Sequence, residues 1–138
     1  MKLAAFSVVA CAIVVIVGCS PFGSSAADLQ PVDSPNGTMT LKLSVNQSKA
    51  DTTKYLCVVF DVHDSAGKRL HHVQSNASDI QKWAIGWFDD STIVLYSSDI
   101  GTCAWRFAED GTLAQLPTPL AAELKEYGGQ IKAAKYKR

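Results

Sequence analysis

The stretch Tyr55-Leu56-Cys57-Val58-Val59-Phe60-Asp61-Val62 decides the fold. Cys57 and Val59 lie on one alternating face, and Leu56, Val58 and Phe60 on the other. A strand that is apolar on both faces sits centrally, with cover on each side. Upstream, Leu41, Leu43 and Val45 alternate with Thr40, Lys42 and Ser44, which predicts a half-buried first strand. Downstream, Asp64-Ser65-Ala66-Gly67 supplies a turn, and Arg69 to Gln74 returns as a more polar strand. Trp83, Ile85 and Trp87 mark a fourth strand, closed by the turn Asp89-Asp90-Ser91. Thr92 to Ser97 forms a fifth, Ser98 to Gly101 a loop, and Cys103, Trp105 and Phe107 a sixth. Asp110-Gly111 is a hairpin signal, with Leu113 to Leu116 as a short closing strand. The expectation is mainly β: a curled antiparallel meander of six to seven strands, a small barrel or a sandwich.

The period then changes. Thr118-Pro119 reads as a helix start, with Thr as cap and Pro in the first turn. Leu120, Leu124, Tyr127 and Ile131 form one apolar stripe, predicting a C-terminal amphipathic helix over 119–135. It is expected to pack on the sheet and cover the Tyr55–Val62 strand. Gly128-Gly129 should weaken or kink it, at roughly 1 kcal/mol per glycine.

With 138 residues, 47% of them hydrophobic, the chain has the length of one domain and excludes a propeller of four or more full blades. Thirteen basic and thirteen acidic side chains give a formal charge of zero, which excludes bulk electrostatic binding to nucleic acid. That average conceals a separation: residues 125–138 hold five basic groups and one acid, and residues 19–124 seven basic groups and twelve acids.

The first residues carry an address. Lys2 is followed by an apolar run from Val8 to Val17, too short to span a bilayer comfortably, so residues 1–18 read as a secretory signal peptide. Ile16-Val17-Gly18-Cys19 resembles the lipobox of bacterial lipoproteins. That resemblance implies a mature chain that begins at a diacylglyceryl-bearing Cys19. It also implies a location in the cell envelope, and Ser20 points to the outer membrane, facing the periplasm. Residues 19–38, rich in Pro, Gly and Ser, read as the lipidated cysteine and a flexible tether, and residues 39–138 as a single β-rich domain. An alternative address is a secreted glycoprotein. All three asparagines, Asn36, Asn46 and Asn76, begin an N-x-Ser/Thr sequon.

Cys11 leaves with such a signal and Cys19 is the anchor, so Cys57 and Cys103 remain as an even pair in an oxidising compartment, and a disulfide is expected. In a flat meander they would stand about 19 Å apart. A disulfide needs Cα atoms within about 7 Å. The meander must therefore curl, fold over as a sandwich, or depart from sequential order. No zinc spacing is present.

The segment Trp87 to Gly111 also resembles one blade of the periplasmic propellers associated with the Tol system. The matching features are Trp87, Asp89-Asp90, Ile93-Val94-Leu95, Ser98-Asp99, Gly101, Trp105 and Asp110-Gly111. It is a single copy, and implies local hairpin geometry without a function.

Candidate sites follow from where the turns fall. Loops of a meander alternate between its two ends, which places Asp64, Asp89, Asp90, Glu109 and Asp110 on one acidic rim and Asp79, Ser97, Ser98 and Asp99 at the other end. Asp89, Asp90 and Asp99 are candidate interaction residues, but a six-residue strand of about 20 Å keeps them from forming one metal site. No metal or cofactor is expected. His71 and His72 point to opposite faces, so with His63 they offer two ligands at best. Ser97 or Ser98 with Asp99 would need a histidine and lacks a Gly-x-Ser-x-Gly elbow. Trp83, Trp87 and Trp105 share a face with Ile85, Cys103 and Phe107 and read as core, or as partner contacts if a small barrel leaves any exposed.

Three functions compete. One is a non-catalytic, lipid-anchored envelope protein that binds a protein partner, for example as an immunity protein or inhibitor. The second is a structural envelope component that contacts lipid or cell wall through its basic tail. The third is a small hydrolase or ligand carrier using loop 97–101.

Overall fold

The computed structural model describes residues 23–137. The signal peptide and Cys19 lie outside the described residues. Among the described residues, eight strands form two four-stranded antiparallel sheets, each in sequential order. The first sheet holds β1 (Val32–Asp33), β2 (Met39–Val45), β3 (Cys57–Asp64) and β4 (Arg69–Ser78). The second holds β5 (Trp83–Asp89), β6 (Thr92–Ser97), β7 (Gly101–Phe107) and β8 (Leu113–Gln115). Among the described residues one helix, α1 (Ala122–Lys135), follows the sheets. The meander does not close into a barrel. It breaks at residues 79–82 and folds over as a sandwich.

Period-two patterning sets the layers. Leu41, Val58, Phe60, Val62 and Ala77 from the first sheet meet Trp83, Trp87, Ile93, Leu95 and Trp105 from the second in one core. Trp105 stands edge-on to Phe60, ring centroids 5.0 Å apart, and Trp87 stacks on Phe107 at 6.4 Å. Such contacts contribute roughly 0.5–1.5 kcal/mol beyond the area they bury. The sheets are also tied at their margins. Trp87 Nε1 donates to the carbonyl of Val32 (3.0 Å), and a ring nitrogen of His71 lies 2.9 Å from the carbonyl of Gly111.

The other face of the second sheet carries Val94 and Ala104, and Leu120 and Leu124 cover them. The helix therefore lies on β5, β6 and β7, not on β3 as its stripe suggested. The second face of β3 belongs to the outside of the first sheet, where Val59 is sheltered between its register neighbours Ser44 and Gln74. The helix also starts later than Thr118-Pro119 predicted. Residues 117–121 carry the chain from β8 to the outer face, Leu120 is buried there, and Ala121 opens the helix without a side-chain cap.

The segment expected to be a tether is largely part of the fold. From Gly23 onward the chain forms a strap along the β1–β5 side of the sandwich. Leu29 and Val32 pack on the core, and β1 pairs with β2. Its Pro, Ser and Gly content reads as linker because the contacts that order it lie more than fifty residues away. Residues 19–22 of the expected tether lie outside the described residues.

Gly128 does not kink α1. It is buried against β7, and a Cβ there would lie 2.8 Å from Thr102 Oγ1 and 2.9 Å from its Cγ2. Gly129, one residue on, has nothing within 4 Å. Gly129→Ala should stabilise the protein by about 0.5–1 kcal/mol through helix propensity. Gly128→Ala should destabilise it by about 1–3 kcal/mol through overpacking. Adding Thr102→Ala should return most of that loss, all three effects being read from urea melts.

Candidate functional site

The acidic rim exists as a place. The turns at residues 34–38, 64–68, 89–91 and 108–112 gather at one end, where Asp90 accepts the N–H of Asn36 (2.8 Å). Its carboxylates are organised by their own turns. Asp64 Oδ1 accepts the N–H groups of Ala66 (3.0 Å) and Lys68 (2.9 Å). Asp89 and Asp110 take those of Ser91 (2.9 Å) and Thr112 (3.0 Å). Burial would raise the Asp89 carboxyl, but the bonds from Ser91 and Thr92 outweigh it and hold it below the usual range. Among the described residues, no three His, Cys, Asp or Glu are grouped to hold a metal ion.

The same geometry gives the sequons a backbone role. Asn36 and Asn46 accept the N–H two residues on, from Thr38 (3.1 Å) and Ser48 (2.9 Å), as Asp51 does from Thr53 (2.9 Å). An Asx residue followed two positions later by Ser or Thr recurs here as a turn former. Asn76 differs, lying exposed on β4 beside the Lys54 ammonium.

The remaining candidates are dispersed or buried. Trp83, Trp87 and Trp105 are 1%, 5% and 6% exposed, so they are core and not an interaction surface. Asp99, at the end opposite Asp89 and Asp90, accepts the Ser97 hydroxyl and the N–H of Ser78 (3.1 Å). No histidine joins Ser97, Ser98 and Asp99. His63 faces the carbonyl of Gly67 (3.0 Å), His71 that of Gly111, and His72 the Asp61 carboxylate (2.6 Å).

Cys57 and Cys103, expected to pair, are both free thiols. Cys57 Sγ lies 3.6 Å from the carbonyl of Thr53, while Cys103 packs on the core between the sheets. Burial first, and then the charge of Asp99, push both thiols up from their usual range.

Sequence reasoning missed a polar knot around Trp83. Asp79, buried in the β4–β5 turn, accepts the Trp83 indole N–H (3.0 Å), the N–H of Ser24 (2.8 Å) and the Ser24 hydroxyl. Tyr136 Oη accepts the Trp83 N–H (3.1 Å) and donates to its carbonyl (3.0 Å). Lys135 Nζ lies 3.6 Å from the Trp83 ring centroid and 3.5 Å from Asp28. Gly23 fits only as glycine: its φ is +104°, and a Cβ would come within 3.0 Å of Asp79 Oδ2. One signal was present, because Tyr127, Ile131 and Lys135 continue a spacing of four on α1. The partners Ser24, Asp28 and Asp79 carry no local signal.

Three clefts of about 570, 640 and 260 Å³ border this strap. The first, between the strap, β5 and α1, is lined by Val32, Ile85, Ile131 and Lys135 among others. Burial would raise the Asp28 carboxyl, but bonds from the Ser25 N–H and hydroxyl and the charge of Lys135 together hold it low. Lys135 is pushed down in turn, because its lost hydration outweighs the attraction of Asp28. The two directions are compatible, since the carboxylate keeps more water than the ammonium.

No protein-family model, no curated protein and no solved structure matches the chain.

Asp79→Ala leaves a buried indole N–H and the strap without their acceptor, and should cost about 2 kcal/mol in urea melts. Amide exchange at residues 24–30 should quicken in the same variant, whereas Asp79→Asn, which keeps an acceptor, should lose less. Because the Asp28 carboxyl is lowered on folding, its contribution is present above its ordinary value of 3.8 and is lost as pH falls below it. Acidification through that window should therefore also speed exchange in the strap.

Proposed function

We propose that this chain is a lipid-anchored cell-envelope protein that acts by binding a protein partner and carries out no catalysis of its own. The partner is a protein with a basic surface, such as a secreted enzyme or toxin held in check at the envelope. The observation that carries this reading is the opposition of the two ends. The strap is pinned through Ser24 to Asp79 at one end, and the acidic turns stand at the other.

An anchor at Cys19 would present those turns away from the lipid. They are exposed and negatively charged, and side-chain-to-backbone bonds already fix their conformation. Binding to preformed turns loses less conformational entropy than binding to flexible loops. Opposite charge on the partner would speed encounter and set orientation.

Pull-down with the native protein from envelope and secreted fractions tests the reading. A specific partner should be retained and should be released by salt. Ala108→Lys combined with Glu109→Lys, which removes no side-chain bond of the rim, should weaken its binding by about tenfold or more while leaving the melting curve close to wild type. Repeated failure to retain a partner, or binding indifferent to the charge reversal, would overturn the proposal.

A further inference from the structure

The outer edge of β5 is covered unevenly. Alternate residues of an antiparallel strand turn both N–H and C=O to the same side. The N–H of Ser98 donates to the carbonyl of Lys82 (2.9 Å), which sets the phase. Residues 84 and 86 therefore face β6, and Trp83, Ile85 and Trp87 turn their backbone groups outward. Tyr136 takes both groups of Trp83, and Tyr127 takes the carbonyl of Trp87. Ile85 lies between them, and among the described residues nothing bonds its N–H or its C=O.

This open pair lies where β5 borders the cleft of about 570 Å³ between the strap and α1, which Ile85 helps to line. Ile131, between Tyr127 and Tyr136 in the chain, forms the helix wall with Ala134, and Val32 belongs to the strap wall. The charged side chains on these walls, Asp28 and Lys135, are opposite in sign and 3.5 Å apart. The cleft therefore carries no net charge of its own. Its complement is an uncharged, apolar segment that brings one N–H and one C=O side by side. An extended peptide residue does so. Opposite Ile85 in antiparallel register, it gives its N–H to the Ile85 carbonyl and accepts the Ile85 N–H on its own carbonyl.

The two tyrosines limit the length of such a segment. From Trp83 to Trp87 the strand runs about 14 Å, and both ends are taken, which leaves room for roughly three extended residues. The cleft volume falls in the range of sites that hold ligands of that size. We propose that this cleft binds a short, extended, uncharged apolar peptide segment by strand addition at Ile85. Binding here is independent of the acidic turns and of the lipid anchor.

The test titrates the tripeptide acetyl-alanyl-valyl-alanine amide into the isotope-labelled full chain held in lipid nanodiscs, followed by NMR. In the free protein the Ile85 amide should exchange with solvent faster than the amides of Ala84 and Gly86. The peptide at millimolar concentration should shift the Ile85 amide resonance and slow its exchange several-fold. N-methylation of the peptide at its three residues removes the donors to the Ile85 carbonyl and should weaken binding by about fivefold or more. Ala134→Trp, at an exposed position on the helix wall, should fill the cleft and abolish the shift while leaving the melting curve in place. No shift at Ile85, or equal binding of the methylated peptide, overturns strand addition. A shift that survives Ala134→Trp overturns the cleft as its site.

Discussion

The structure depends on the burial of Trp83. Its indole lies in the core between the sheets, its N–H reaches Asp79, and its ring face meets the Lys135 ammonium. Its own backbone is held by Tyr136, and Asp79 carries the Ser24 bonds that fix the strap. The first sheet, the second sheet, the helix and the strap thus converge within one residue's surroundings. A cation over an indole face contributes about 2 kcal/mol when desolvated, and an orphaned buried donor costs a similar amount. Changes at this position are therefore felt in every layer.

The same arrangement answers a hazard of open sheets. β5 is an edge strand, and an exposed row of N–H and C=O groups invites pairing with another chain. Tyr127 of the helix and Tyr136 at its C-terminal cap take these groups. Tyr136 holds both backbone groups of Trp83, and Tyr127 Oη donates to the carbonyl of Trp87 (2.6 Å). Burial pushes both phenols up, so they stay protonated donors across the physiological range. The close seating of α1 at Gly86 and Gly128, where added side chains would clash, brings the helix within reach of the edge.

What was legible in the sequence was local. Strands β2 to β8 follow from alternation and turn residues, and β6 begins and ends where Thr92 and Ser97 suggested, whereas β4 runs on past Gln74 to Ser78. The placement of Asp89 and Asp90 away from Asp99 followed from counting strand ends. What was not legible depends on distant partners. Val32–Asp33 forms a strand only because β2 lies beside it, and the strap is ordered by Asp79 and Trp87. Thr118-Pro119 carries a strong local helix signal, yet Leu120 belongs to the outer core and α1 starts at Ala122. Cysteine counting suggested a bond, but the Cys57 thiol turns to the Thr53 carbonyl while Cys103 packs on the core between the sheets. The sequons, read as modification signals, coincide at Asn36 and Asn46 with a turn that aspartate forms elsewhere in the chain.

The pinned strap also bears on the order in which the molecule assembles. Each sheet is a sequential meander, so its pairings are between neighbours and form quickly. Ser24 must wait for Asp79 and Trp83, made 55 and 59 residues later. A chain emerging from its N-terminus first would complete the first sheet while Leu41, Val58, Phe60 and Val62 still lack the tryptophans that cover them. Until the second sheet forms those side chains stay uncovered, and the strap, although it precedes both sheets in the chain, is among the last segments to find its place.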